Sequence, residues 1–337
     1  MKLKYIPVVV LGLITASCSK ELNVKDVNFN AAAVAAGTGA AADSFSIANG
    51  GVAFNFTGNP DYISFYSGEI GHRYEFRERT TAAGIPKLQF SSALNTSGNG
   101  TLSLMLSSDF KGLINKVAYG VSSLDTGATM SNINKATWAD ITGRATWATG
   151  TTAVPSGSID LSDFVKSGPV YVAFRYQAPS GNVQKKWTIT ALSVTNNLAN
   201  EGSSYVVANL NNATTAFTNY GNSTYSPGWA PVFDSTVNAN KYAWVFTSAS
   251  SLVITGAATA AAATANADAW VVMGPVDLTK VTPDVGVGLK TLGGATLANY
   301  PYASYAKGLY SAVFVGVNSN ASQTQSKVVT IPVNIVP

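Results

Sequence analysis

The chain has 337 residues, of which only 11% are charged, a formal net charge of +4, one histidine and one cysteine. Charge is far scarcer than the ~25% of ordinary domains, and no basic run supplies the electrostatic footprint of a nucleic-acid partner. One cysteine excludes an internal disulfide, and one histidine with no second thiol leaves a zinc site without its ligands.

Lys2 and Lys4 open the chain, followed by an apolar stretch over 7–14 (PVVVLGLI), the small residues Thr15-Ala16-Ser17, and Cys18. The apolar stretch falls well short of the ~20 residues that span a bilayer as a helix. Residues 1–17 therefore read as an export signal outside the fold. Cys18 stands where a lipid-accepting thiol must stand, and a thiol kept for folding would lie inside the mature chain. The segment resembles a bacterial lipobox in relaxed form, with Thr15 where leucine is commonest. That resemblance implies a diacylglyceryl group on Cys18, cleavage before it and N-acylation; more than one chain is what stable anchoring needs. Ser19-Lys20-Glu21 and Lys25-Asp26 are similar to the charged signals after the cysteine in surface-displayed Bacteroidota lipoproteins. They imply an outer-membrane location facing the cell exterior, with residues 18–30 as the lipidated tether.

Beyond the tether, the Ala/Gly run over 30–43 suits a loop around a short edge strand, because Gly37 and Gly39 oppose the helix that alanine favours. Val52 to Phe56 alternates apolar and polar residues, Gly58-Asn59-Pro60-Asp61 is turn chemistry, and Tyr62 to Tyr66 is a second strand. Tyr74-Glu75-Phe76-Arg77 reads as an edge strand. Leu102 to Ser107 is a strand, and 107–136 reads as loop-rich with one or two short strands. Gly157 to Phe164 leads into Val170 to Tyr176, the clearest strand of the chain, with Trp187 to Val194 as its expected partner. Further strands fall at 240–255 and 268–278, while the Ala/Thr run over 257–265 is too short to stand as a helix. Tyr300 to Tyr310 approaches Ser311 to Val317, and Lys327 to Val336 closes the chain as an alternating strand. Many short strands with regular turns, and no convincing amphipathic helix, predict an all-β sandwich protein.

The closing segment resembles the last strands of a PKD or other immunoglobulin-like domain, and residues 24–80 resemble its opening strands. Neither piece could bury its apolar face alone. The expectation is a discontinuous immunoglobulin/PKD-like domain, residues 31–84 plus 286–337, with residues 85–285 inserted. Ile159-Asp160-Leu161-Ser162, the Tyr171 to Tyr176 strand, the strand opening at Trp187 and Ala269 to Leu278 resemble jelly-roll modules of secreted Bacteroidota proteins. As a whole the chain resembles an uncharacterised-domain family of lipoproteins encoded with glycan-uptake systems. This implies a glycan ligand and an outer-membrane protein partner, and carries over no catalytic residue.

Chemistry fails mostly by absence. His72 lies in Gly71-His72-Arg73-Tyr74, most simply a turn. No cofactor is expected; Asp268 and Asp277 could sit near a structural calcium, but no ligand loop of fixed spacing supports one. Asp160, Asp163, Glu69 and Asp268 keep a paired-carboxylate hydrolase open as a weaker alternative, although Asp160 and Asp163 equally suit turn capping. An adhesin or scaffold component would instead show a flat apolar patch or a long uncovered edge strand. The aromatic residues are more informative. Trp147, Tyr220, Tyr225 and Trp229 lie in turn-rich sequence, where they either form a platform for sugar rings or fold back to pin a loop. The platform reading predicts that the 219–231 loop presents Trp229 and at least one of Tyr220 or Tyr225 to solvent. Burial of Trp229 in the structure would count against it.

Overall fold

Period-two alternation dictates most of the architecture in the computed structural model, which describes residues 23–95, 101–119, 121–210, 217–218, 224–225, 229–248 and 251–337. The described chain divides into two units, one ending at Arg77 and resuming as Val285–Pro337, the other Glu78–Asp284. Both are all-β sandwiches.

The first unit begins with β1 (Phe29–Ala35), β2 (Phe45–Ser46), β3 (Val52–Gly58) and β4 (Tyr62–Tyr66). The Ala-rich run thus supplies an edge strand, β1, paired antiparallel with β3 from Phe29↔Gly58 to Ala35↔Val52. Gly58 ends β3 at φ 85°, and a Cβ there would lie 1.8 Å from the Asn28 carbonyl oxygen, so the turn demands glycine. Tyr74–Phe76 is a 3-10 turn and not the expected edge strand. The Arg73 guanidinium lies 4.4 Å from the Phe76 ring and that of Arg77 lies 4.0 Å from Tyr74. Such i,i+3 pairs meet on one face of a helical turn, whereas a strand would send them to opposite faces.

The second unit comprises β5 (Ile85–Leu94), β6 (Thr101–Ser107), β7 (Asn115–Ala118), β8 (Val121–Leu124), α1 (Thr126–Lys135), β9 (Ala139–Asp140), β10 (Val154–Pro155) and β11 (Ile159–Asp160). It continues through β12 (Val170–Ala178), β13 (Lys186–Leu198), β14 (Ser203–Asn209), β15 (Phe217–Thr218) and β16 (Thr224–Tyr225). β17 (Trp229–Phe233), β18 (Trp244–Ser248), β19 (Ser251–Thr255) and β20 (Ala267–Val276) complete it. One sheet runs β10-β5-β13-β19-β18, with β11 on β5 and β14 on β13; the other runs β17-β20-β12-β6-β9. The expected β12–β13 pairing is therefore incorrect, since these strands lie in different sheets. Phe174 of β12 and Trp187 of β13 belong to one core cluster, so each strand's apolar alternation records that shared core and says nothing about hydrogen bonding between them.

Phe174 is fully buried, with ring centroids 5.3 Å from Phe90, 5.8 Å from Trp229 and 6.1 Å from Trp244. The outer face of the β12 sheet is covered as well. Tyr171, Ala173, Val232, Trp270 and Val272 share a second cluster with Met130 and Ile133 of α1. This helix lies in the stretch read as loop-rich. Asp125 caps it by accepting from Ala128 N at 3.0 Å, and the buried Thr129 hydroxyl accepts from Ile114 N at 2.9 Å.

The chain returns to the first unit as β21 (Val287–Lys290), β22 (Asn299–Tyr302), β23 (Gly308–Ser319) and β24 (Thr324–Val336). Its sheets run β1-β3-β22 and β2-β24-β23-β4-β21, with β2 parallel to β24. The two opening strands, β1 and β2, thus fall in different sheets of a sandwich whose strand order is immunoglobulin-like. Phe54, Phe65 and Phe314 form its centre, each pair within 5.6 Å. Tyr305 is buried beside them, and its hydroxyl donates to the Ser67 carbonyl at 2.6 Å.

Phe174→Ala should lower the stability of the second unit by about 3–5 kcal/mol, the usual cost of emptying an aromatic core site. Urea unfolding followed by tryptophan fluorescence measures this, and a change under about 1 kcal/mol would contradict the central packing assigned to that ring.

Candidate functional site

Of the aromatic residues singled out from sequence, the two whose side chains are described, Trp147 and Trp229, are turned toward the core and not presented to solvent. Trp229 is 2% exposed, and its ring stacks on Phe174 at 19°. The cause is the pairing of β17 with β20, Trp229↔Met273 to Phe233↔Ala269, which turns Trp229 onto the inner face. Trp147 is half-buried, lies 5.1 Å from Phe90 and 5.9 Å from Trp187, and donates its Nε1–H to the Thr142 carbonyl at 3.0 Å. It pins its loop to the core. Tyr220 and the Tyr225 side chain lie outside the described residues; the Tyr225 backbone pairs with Phe217.

Concave surface occurs elsewhere on the second unit, around the loop that follows β17. Asp234 Oδ1 accepts from Thr236 N at 2.8 Å and from Thr236 Oγ1 at 2.6 Å. Asn238, fully buried, clamps Tyr242 by accepting from its N–H at 3.1 Å and donating to its carbonyl at 2.6 Å. Lys241 between them is held at φ 57°, a left-handed conformation that side chains other than glycine adopt only under constraint. The loop is thus fixed by its own hydrogen bonds.

This loop and the flank of α1 enclose a cleft of about 660 Å³. Met130 and Phe233 give it an apolar lining; Ser131, Asn134, Asp234 and Thr236 add hydrogen-bonding groups, and Lys135 and Lys241 add positive charge. The two bonds from Thr236 hold the Asp234 carboxyl below the usual carboxylate range, so it is ionised at neutral pH. Sequence reading missed this cleft because its residues come from α1 and from a turn. The available signal was Asp234-Ser235-Thr236, side chains that bond their own backbone directly after a strand.

A second cleft of about 630 Å³ includes Thr101, Gln177, Lys185, Val237 and Asp268. Arg175 grips Asp268 with Nε at 3.0 Å and Nη2 at 2.6 Å, and Gln177 donates to the same carboxylate at 3.1 Å. The guanidinium also lies 5.0 Å from the Trp270 ring, which in turn is 5.1 Å from Trp138. Asp268 is therefore committed to a cation of the protein itself. Asp277, the other carboxylate considered for calcium, uses Oδ1 to accept from both the N–H and the hydroxyl of Thr279. Among the described residues no group of three or more His, Cys, Asp or Glu is placed to hold a metal ion.

The remaining carboxylates are also engaged. Arg144 binds both oxygens of Asp163 and holds its carboxyl below the usual range, while Asp160 caps Ser162 at 2.7 Å and is lowered by that contact. Glu69 accepts the Tyr302 hydroxyl at 2.6 Å; burial first, and then this bond, push Tyr302 up to about 12. His72 Nδ1 lies 2.7 Å from the Val285 carbonyl, which fixes it as the donor in a turn.

Thr236→Val should move the Asp234 pKa upward, toward the ordinary carboxylate value, in a carboxyl-carbon NMR titration. Because the folded-state value is depressed, these bonds favour the fold at neutral pH. That contribution disappears as acid carries the pH down through the depressed value. An Asp234 titration identical in the two proteins would refute the bonding described.

No curated protein and no solved structure matches this chain. Among the described residues, no helix is long and apolar enough to cross a membrane. Residues 17–215 match a family described as a domain of unknown function, DUF5017, and the chain belongs to that family.

Proposed function

We propose that this protein is a non-catalytic lipoprotein of the Bacteroidota type, held at the outer membrane through acyl chains on Cys18 and facing the cell exterior. Its second unit binds glycan in the cleft beside α1. The observation that carries this reading is the composition of that cleft. Half-buried Phe233 offers apolar surface to the C–H face of a sugar ring above the buried Met130, while Asn134, Ser131, Thr236 and ionised Asp234 provide donors and acceptors for hydroxyls. The cleft volume of about 660 Å³ falls within the range of small-ligand sites. The Asp160 and Asp163 pair weighs against a glycosidase built on those two residues. A glycosidase needs one carboxyl raised in pKa as general acid, whereas Asp160 and Asp163 are both lowered. In a glycan-uptake assembly, such a protein would present its ligand to an outer-membrane protein partner.

A protein-binding reading has one observation in its favour. Among the described residues, β24 is paired on its outer side only at Ile335 and Val336, by β2, so Thr324 to Asn334 forms an uncovered edge. Lys327 and Pro332 interrupt that edge, and these are the residues with which natural sheets discourage strand addition. The glycan reading is therefore the stronger.

Affinity electrophoresis through gels containing polysaccharides tests it. The wild-type chain should be retarded by at least one glycan, and Phe233→Ala should abolish the retardation while remaining folded, at a cost below the roughly 3–5 kcal/mol of a fully buried aromatic because its side chain is only half-buried against the core. Uniform absence of retardation, or a Phe233→Ala protein that behaves as wild type, would remove the cleft from consideration.

A further inference from the structure

One end of the first unit is tied to the tether. Val24 N donates to Gln323 Oε1 at 3.2 Å, in the turn between β23 and β24. Asn318 Nδ2 donates to the carbonyls of Lys25 and Asp26 at 3.0 and 3.4 Å. The same Asn318 accepts from Asp61 N at 3.1 Å, and Asp61 accepts in return from Ser319 N at 3.1 Å. Asn320 closes the turn by accepting from Ser322 N and Gln323 N. Three separate stretches, the tether, the β3–β4 turn and the β23–β24 turn, therefore meet at one place.

The geometry points to the β23–β24 turn as the surface of the first unit that rests against the lipid headgroup layer. The inference depends on Cys18 carrying the acyl chains, as proposed above. Six Cα–Cα steps lead from Cys18 to Val24, and even fully extended they reach only roughly 20 Å. β23, with 12 residues, is about 40 Å long at the usual strand rise. A leash of that length, fastened at the turn, keeps the turn within roughly 20 Å of the bilayer, whereas the opposite end of β23 has no such restraint and lies about 40 Å further along the strand. The turn's own chemistry is compatible with this. Residues 321–328 are all exposed and include Lys327 but neither Asp nor Glu, with Asp61 and Asp26 beside them, so the turn itself sets no carboxylate against an anionic headgroup layer.

Acylation of Cys18 leaves no other thiol in the chain, so an introduced cysteine is a unique labelling site. Ala321 in the turn and Ala303 near the other end of β23 are both exposed. The full-length lipoprotein carrying Ala321→Cys or Ala303→Cys would be labelled with an environment-sensitive nitrobenzoxadiazole probe. It would then be reconstituted into phosphatidylethanolamine/phosphatidylglycerol vesicles containing a headgroup-nitroxide lipid. The expected result is loss of emission at position 321 and none at 303, relative to vesicles without nitroxide. Equal loss at both positions, greater loss at 303, or no loss at either in protein that floats with the vesicles would overturn the assignment. Failure of the unmodified lipoprotein to float would instead refute the acyl anchor, and the inference would fall with it.

Discussion

Burial of β12 on both faces is the constraint on which the second unit depends. Val172, Phe174 and Tyr176 point into the core between the sheets, while Tyr171 and Ala173 point outward beneath α1. A strand in this position cannot alternate apolar and polar residues, which explains the nearly continuous run Val170 to Phe174. Apolar outer positions oblige the chain to supply a cover, and α1 supplies it through Met130 and Ile133. The helix then serves a second purpose, since its solvent-facing flank (Ser131, Asn134 and Lys135) becomes one wall of the cleft. The opposite wall is the self-bonded loop after β17, in which Asn238 does the bracing. Cleft and core are thus two faces of one packing solution, and the cleft's shape depends on how firmly the helix is seated.

The sandwich of the first unit is assembled from segments remote in sequence. β3 pairs with β1 on one side and β22 on the other, and β4 lies between β21 and β23. Phe54 and Phe65 from the opening segment meet Phe314 from the closing one at 4.8 Å each. Each half holds only part of an aromatic cluster, and neither has a facing sheet of its own. Their stability is consequently shared, and damage to β23 should be felt at β3 as strongly as within its own hairpin.

What could be read from sequence, and what could not, follows from the range of the interaction involved. Period-two alternation at Val52 to Phe56, Tyr62 to Tyr66 and Lys327 to Val336 depends on local pleat geometry and marks strands directly. Pairing is a tertiary matter, and β12 and β13 share a core without sharing a sheet. Helix α1 was hidden because Gly127, Thr129 and Asn132 have poor helix propensity; the Asp125 cap and the Met130/Ile133 spacing were its remaining signs. Tyr74 to Arg77 looked like an edge strand until its i,i+3 cation–aromatic pairs were visible. Trp229 shows the sharper limit. Flanking turn residues suggested exposure, yet the five residues from Trp229 to Phe233 form a strand that packs the indole inward. The cleft residues carry ordinary side chains and become a site only when a helix flank and a turn are brought together.

The parallel pairing of Phe45 with Ile335 and Ser46 with Val336 has a consequence for biogenesis. Synthesis proceeds from the amino end, so β1 to β4 appear first, and the closing strands β21 to β24 that complete their sheets appear only after the whole of Glu78–Asp284. The intervening segment has its complete core in hand by then, whereas β1 and β3 have only each other, and β2 and β4 have no partner until the closing strands follow. During that interval Val24 to Asp26 have no Gln323 or Asn318 to bind. The hydrogen bonds of Val24 to Asp26 thus form only once the closing hairpin is present.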